Sequence, residues 1–277
     1  MKYTHFLNGQ FVDEDSLLVS VRDLGYARGY AIFEFMMTHN GRPFMLEKYM
    51  DRLFRSSEAV SLDLPWSKGQ ISDWVMQTLG ANKSIQGEKV IRVTISGGSS
   101  FGLAPAEVPT IAIVIDARFP HIPGDYTNGV HVLLSEFERY VPQAKTNNYI
   151  EAVRQFRAAP SEIDEIIYHS GGMIREGTMS NLFAVIGGSL VTPETGILEG
   201  ITRDVILNEL SLSVQAEARD FSVEDLLGAS EVFITATGKE IMPVTKINNV
   251  PVGDGSVGRI TKEVATEFRN FFESDLW

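Results

Sequence analysis

The stretch that decides the fold runs from Ala144 to Val205. It reads AKTNNYIEA at 144–152, MIREGTMSNLFAV at 173–185 and LEGITRDV at 198–205. It sets a lysine, a glutamate before glycine, and a Gly-Ile-Thr helix entrance within about sixty residues. Free N–H groups at a helix N-terminus, with a threonine hydroxyl beside them, make a ready anion site. Gly-x-Thr before a helix is also an ordinary structural cap. The runs flanking these motifs alternate in type. Val130 to Leu134, Ile166 to His169, Leu182 to Ile186 and Val232 to Thr235 read as strands, with helices beginning near Asn148, Ile201, Val223 and Val257. That alternation predicts a mixed α/β domain.

Upstream, Phe33 to Thr38 and Pro43 to Met45 flank Asn40-Gly41, a pair that tolerates the positive φ angles of a tight hairpin. From Leu46, the residues Tyr49, Met50, Leu53, Phe54 and Val60 keep helical spacing, and Arg52 and Arg55 fall off that stripe. Asp63-Leu64-Pro65 ends the helix, and Ser67 is placed to cap another through Trp74, Val75 and Leu79. Two β-forming runs, Val90 to Ser96 and Thr110 to Asp116, are separated by GGSSFGLAPAEVP, too rich in Gly and Pro for regular structure. The expected organisation is an N-terminal α+β domain over 1–117, a linker over 118–128 marked by Pro120, Pro123 and Gly124, and a C-terminal α/β domain over 129–277.

The 277 residues suit two domains, each able to bury a core. There are no cysteines, which excludes disulfides, thiolate metal sites and cysteine nucleophiles and is compatible with a reducing cytoplasm. His5, His39, His121, His131 and His169 show no metal-ligand spacing, so no metal is expected. Apolar runs such as Ile111 to Ile115 end well short of a membrane span, and no apolar signal core follows Met1. A net charge of −12 repels phosphate backbones and anionic membranes, so neither nucleic acid nor membrane is an expected partner. The same field opposes anionic metabolites, which would have to be held by local arginines and backbone amides.

At its three central motifs the chain resembles the class IV aminotransferases, a family that includes branched-chain aminotransferases, D-amino-acid aminotransferases and aminodeoxychorismate lyases. Lys145 with Asn148 and Tyr149 is similar to the family's Schiff-base lysine segment, and Glu176-Gly177 followed by Asn181-Leu182-Phe183 to its E-G-x-x-x-N-[LV]-F signature. The resemblance implies a two-domain fold with pyridoxal 5'-phosphate between the domains, and a homodimer in which each N-terminal domain helps close the other subunit's pocket. Lys145 would form the imine and shuttle the substrate proton, and Glu176 would keep the pyridine nitrogen protonated so that the ring accepts electrons. Leu198 would cover a ring face, and Ile201 and Thr202 would bind phosphate. Arg52 and Thr237 match further phosphate contacts, the arginine by its planar fork. Tyr149, one helical turn from Lys145, would reach the cofactor phenolate. The plainer readings are a core-packed Tyr149 and an Arg52 paired with Asp51 or Glu58.

In the substrate region the chain departs from its relatives. The position of Arg28, in a segment ending Ile32-Phe33-Glu34, usually carries an aromatic and faces substrate. The arginine and histidine of familiar D-amino-acid enzymes are replaced by Ser96-Gly97-Gly98. Branched-chain enzymes share Phe33-Glu34 and an arginine matching Arg92, but carry a tyrosine at Val90. The expectation is that Arg28, from the partner subunit, and Arg175 bind the α-carboxylate in an orientation that admits D-amino acids, with Phe33, Gly238 and Lys239 also facing substrate. The alternatives are that these arginines pair with Glu34, Glu176 or Asp23, that the enzyme is a branched-chain L-aminotransferase, or that it is an aminodeoxychorismate lyase.

Overall fold

A computed structural model describes residues 2–118, 123–274 and 277. The chain divides into two compact units. Unit 1 holds residues 1–119, 143–148 and 277, and unit 2 holds 120–142 and 149–276. The Lys145 segment therefore belongs with the first unit, although its place in the chain assigns it to the second. Residues 119–122 of the expected linker, including Pro120 and His121, lie outside the described residues, and Pro123–Asn128 is a short helix.

In unit 1 the elements are β1 (His5–Leu7), β2 (Gln10–Val12), α1 (Leu24–Arg28), β3 (Ala31–His39), β4 (Arg42–Pro43), α2 (Leu46–Ala59), α3 (Lys68–Ala81), β5 (Lys89–Ser96) and β6 (Thr110–Ala117). Among the described residues the strands form one sheet in the order β2-β1-β6-β5-β3-β4. The β3 to β4 hairpin turns at Asn40 and Gly41, both at positive φ, as that dipeptide allows. The Ser67 hydroxyl accepts the Gln70 N–H at 3.2 Å and starts α3. Successive side chains of a strand point to opposite faces. One row of this sheet, Ile32, Met36, Ile91, Val93, Ile95, Ile111, Ile113 and Ile115, is fully buried. The opposite row carries Phe33, Phe35, Arg92 and Thr94.

Unit 2 contains α4 (Pro123–Asn128), β7 (Val130–Glu136), α5 (Ile150–Ala158), β8 (Glu165–Ser170), β9 (Met173–Gly177), β10 (Asn181–Ile186), β11 (Ser189–Thr192), α6 (Ile201–Asn208), β12 (Ala216–Ala218), α7 (Val223–Leu227), β13 (Glu231–Ala236), β14 (Glu240–Ile247), β15 (Val250–Pro251) and α8 (Arg259–Glu273). Its sheet runs β12-β11-β10-β13-β14-β7-β8-β9, with β15 on β14. The pairs β7 to β8, β7 to β14 and β11 to β12 are parallel, and the others are antiparallel. A core of Val132, Ile167, Ile174, Leu182, Ala184 and Ile234 lies on this sheet. Among the described residues no helix is long and apolar enough to cross a membrane, and no group of three or more His, Asp or Glu could hold a metal ion.

Candidate active site

The unit 1 part of the site is built on the edge of β3. The Lys145 carbonyl accepts the Phe33 N–H at 2.9 Å, Thr146 bridges Ile32 in antiparallel register, and the Asn147 N–H donates to the Ala31 carbonyl at 3.1 Å. The buried Ser56 hydroxyl of α2 accepts the Lys145 N–H at 3.1 Å. Residues 145–147 are thus extended, and Tyr149 is the N-cap of α5, half-buried. The helical-turn relation expected between Lys145 and Tyr149 does not exist, because strand pairing to β3 takes up the backbone groups a helix would need. The Lys145 ammonium lies 4.7 Å from the Phe33 ring centroid, and the Arg92 guanidinium carbon lies 4.4 Å from the same centroid. Both are cation–π distances. Arg92 is exposed and Phe33 is buried, and the two cations share this one ring.

Arg52 is not on the helix surface. It is 4% exposed and pairs with Glu34, which is 0% exposed in the apolar row of β3, through Nε to Oε1 at 2.9 Å and Nη2 to Oε2 at 2.6 Å. Neither Asp51 nor Glu58 is its partner here. A carboxylate in that row needs a cation, and α2 supplies it. Arg28, at the C-terminus of α1, is exposed and donates to the Ala27 carbonyl at 2.8 Å. The acids proposed as its alternative partners are engaged by other groups. Glu34 holds Arg52, and Asp23 caps α1 through the Gly25 N–H and accepts the Ser96 hydroxyl.

In unit 2, β9 presents Glu176 on one face and therefore Arg175 on the other. Glu176 Oε1 accepts from Arg139 Nε at 2.7 Å, and Oε2 accepts the Leu198 N–H at 2.9 Å. Arg139 also donates to the Pro142 carbonyl. Arg175 is turned away from Glu176. Its Nη1 donates to Thr195 Oγ1 at 3.1 Å, and it stands 3.8 Å from Glu138 and 3.9 Å from Asp220. Its Nε is buried with no hydrogen-bond partner among the described residues, and strand alternation sets it on the face opposite Glu176, so adjacency to Glu176 does not support the expected grip on a substrate carboxylate.

The helix entrance is built as an anion site. Gly200 is the N-cap of α6 and no side chain caps it, while Ile201 and Thr202 are buried in its first turn. The Asn181 amide donates to the Leu198 carbonyl at 2.8 Å, which fixes the half-buried Leu198 against the start of β10. Thr235 faces Asn181 across the β10 to β13 pairing, and its hydroxyl is buried with no partner. An orphaned buried hydroxyl is costly unless a ligand or water satisfies it. The uncapped helix N-terminus is a donor set suited to a phosphate group, and the Thr235 hydroxyl is a separate unsatisfied donor. Arg203, by contrast, is internal: burial pulls its guanidinium below its ordinary value, and it donates to the Pro193 carbonyl at 2.8 Å.

Thr237, half-buried, and Gly238, exposed, occupy the turn after β13. Lys239 does not offer its charge to a substrate. Its ammonium lies 3.0 Å from the buried Glu165, and its N–H donates to the Ala236 carbonyl. Sequence reasoning missed Ser56 and Glu165 and gave Thr235 no role; it quoted Glu34 and Asn181 in motifs without foreseeing the Arg52 pair or the Leu198 contact. A charged residue inside an apolar strand row was the one local sign, for Glu34.

A sequence profile described as amino-transferase class IV matches residues 31–247. The chain is 32% identical over 274 residues to a putative branched-chain-amino-acid aminotransferase of Methanocaldococcus jannaschii, across 96% of this chain and 95% of that one. It is 31% identical over 278 residues to a D-alanine aminotransferase of Staphylococcus epidermidis, across 97% and 98%. The branched-chain aminotransferase of Thermoproteus uzoniensis, solved with norvaline, superposes with a TM-score of 0.88 at 26% identity, across 100% and 96%.

Proposed function

The chain belongs to the class IV aminotransferase family, and from that premise we propose that it moves an amino group between a D-amino acid and a 2-oxo acid such as 2-oxoglutarate or pyruvate. Its cofactor is pyridoxal 5'-phosphate, whose ring, when bound, accepts the electrons released as a substrate Cα–H bond breaks. Lys145 supplies the amine that takes the proton from Cα and returns it. Glu176, oriented by Arg139 and the Leu198 N–H, pairs with the ring nitrogen. The α6 N-terminus with Ile201 and Thr202, the Thr235 and Thr237 hydroxyls, and Arg52 are the groups that would hold the phosphate. Leu198 would cover a face of the bound ring, and Tyr149 would meet its hydroxyl.

The carboxylate site is Arg92 together with Arg28 of a second subunit. The observation that carries this is the Phe33 ring, which stands within 5 Å of both the Lys145 ammonium and the Arg92 guanidinium. Arg175 is bound elsewhere, and Arg28 is exposed in a stretch where Leu18, Val21, Tyr26, Phe101 and Leu103 are also exposed. So much exposed apolar surface, with Arg22 over Phe101 and Arg28 nearby in the chain, suits a homodimer interface that delivers Arg28. A cytoplasmic site of action is part of this reading, supported by the absence of cysteine. The branched-chain reading is favoured by the Phe33-Glu34 and Arg92 set shared with those enzymes, by the Methanocaldococcus jannaschii relative and by the Thermoproteus uzoniensis structure.

The test is to mix holoenzyme separately with D-alanine, D-glutamate, L-leucine and L-glutamate and follow the cofactor spectrum. Conversion by the D-amino acids is expected, and conversion by L-leucine alone overturns D-selectivity. Arg92→Met should lower kcat/KM for the 2-oxo acid, by less than the loss of a buried charge pair would.

A further inference from the structure

Glu165 opens β8 fully buried, and its carboxylate is saturated by four donors. Oε1 accepts from the Ile166 N–H at 3.0 Å and from the Thr178 hydroxyl, and Oε2 accepts from the Ser180 hydroxyl at 3.0 Å and Lys239 Nζ at 3.0 Å. That uses about all the lone-pair sites an ionised carboxylate has. Two of the donors lie in the tight turn between Glu176 and Asn181, closed by the Gly177 N–H on the Ser180 carbonyl at 2.7 Å. Glycine is required there, since a Cβ at 177 would collide with the Ser180 hydroxyl and lie 3.2 Å from the Glu165 side chain. The fourth donor, Lys239, belongs to the turn after β13 that carries Thr237, and its carbonyl accepts the Tyr126 hydroxyl at 2.8 Å.

One buried carboxylate therefore ties together two turns that are distant in sequence. The first follows Glu176, and the second holds Thr237. We propose that Glu165 and Lys239 form an internal strut that sets the spacing between Glu176 and Thr237, and thereby the affinity for a cofactor gripped at both ends. They are positioning residues and touch no ligand. The inference rests on the reading that Glu176 takes the ring nitrogen and Thr237 the phosphate. Its physical basis is that a rigid two-anchor ligand is sensitive to the distance between anchors, whereas a ligand using one anchor is not. Lys239 is the chain's own answer to a buried acid, because an uncompensated charge at Glu165 would distort both turns.

The test uses apoprotein prepared from the holoenzyme, titrated with three probes: pyridoxal phosphate, pyridoxal and inorganic phosphate. The variants are Lys239→Met and the charge-free pair Glu165→Gln with Lys239→Met, the second guarding against simple unfolding. The double variant should bind pyridoxal phosphate at least tenfold more weakly while its affinities for pyridoxal and for phosphate stay within twofold. Lys239→Arg should restore most of the pyridoxal phosphate affinity. Unchanged pyridoxal phosphate affinity in the double variant, or equal weakening of all three probes, overturns the strut. Thr237→Ala checks the premise separately: if it leaves wild-type affinity for inorganic phosphate unchanged, the anchor assignment fails and the strut with it.

Discussion

Breaking the Glu34 to Arg52 pair is the sharpest perturbation the first unit offers. Both groups are out of solvent, at 0% and 4% exposed, and two charge-assisted bonds of 2.9 and 2.6 Å join them. Arg52→Met keeps most of the side-chain volume but leaves the Glu34 carboxylate in a row otherwise made of Ile32, Met36, Ile91 and Val93. Removing one partner of such a pair costs about 3–5 kcal/mol, against about 0–1 kcal/mol for a solvated pair. With about 2–4 °C per kcal/mol for domains of this general size, the apoprotein should melt on the order of 6–20 °C lower. Thermal denaturation of apoprotein followed by circular dichroism reads this directly. A fall of less than about 2 °C would refute the burial argument.

The double variant Glu34→Leu with Arg52→Met separates stability from function. Replacing both members of a buried pair by apolar groups is often near neutral, so most of the lost melting temperature should return. Cofactor affinity should not return if Arg52 also serves phosphate. A charge-assisted bond of about 1.5–3 kcal/mol predicts cofactor dissociation weakened about 10- to 150-fold in both variants. Full recovery of affinity in the double variant would confine Arg52 to a structural part.

Two further outcomes are expected. Burial alone would raise the Asp220 carboxyl, but the Thr195 hydroxyl, the Thr195 and Glu194 N–H groups and Arg175 together hold it below its ordinary value of 3.8. Its contribution to stability is therefore full above that value and lost as pH falls through the lowered one, so the melting gap between wild type and Asp220→Asn should be widest near pH 7 and close as pH falls below the lowered value. Gly200→Ala would push a Cβ into Asn181 Oδ1, whose amide is fixed on the Leu198 carbonyl, so phosphate affinity at the α6 entrance should fall even where α6 stays helical by circular dichroism.

The parts of the chain legible in the sequence are those written in local chemistry. Asn40-Gly41 specified a hairpin, Ser67 a helix start and Gly200-Ile201-Thr202 a helix entrance, each through the conformational freedom or hydrogen bonding of a few neighbouring residues. What was illegible depends on residues far apart in the chain meeting in space. Glu165 and Lys239 are 74 positions apart, and Lys145 and Ser56 are 89 apart. The placement of Lys145 in the first unit followed from pairing to β3, for which Lys-Thr-Asn carries no local strand signal. Arg175 shows the opposite failure: adjacency to Glu176 in sequence suggested a shared site, and strand alternation makes adjacency a reason for separation.

The proposal that Arg92 and Arg28 recognise the substrate carboxylate rests on their exposure, and several other cations of this acidic chain lie against internal acceptors. Arg52 faces Glu34, Arg139 faces Glu176, Arg203 is bound to the Pro193 carbonyl, and Lys239 is bound to Glu165. Arg175 lies between Thr195, Glu138 and Asp220. Each of these charges is set against an internal acceptor, which keeps it in place and lowers the positive potential it offers to a mobile anion. With a net charge of −12, a substrate carboxylate meets a repulsive field until it reaches a cation that is both exposed and close to the reactive amine. Arg92 meets both conditions through the Phe33 ring, and Arg28 meets the first. Attraction that rests on exposed guanidinium groups is screened by salt far more than a buried pair is. KM for the 2-oxo acid should therefore rise with ionic strength while kcat holds, and in Arg92→Met that rise should shrink. A KM equally steep in salt for both proteins would place the recognition elsewhere.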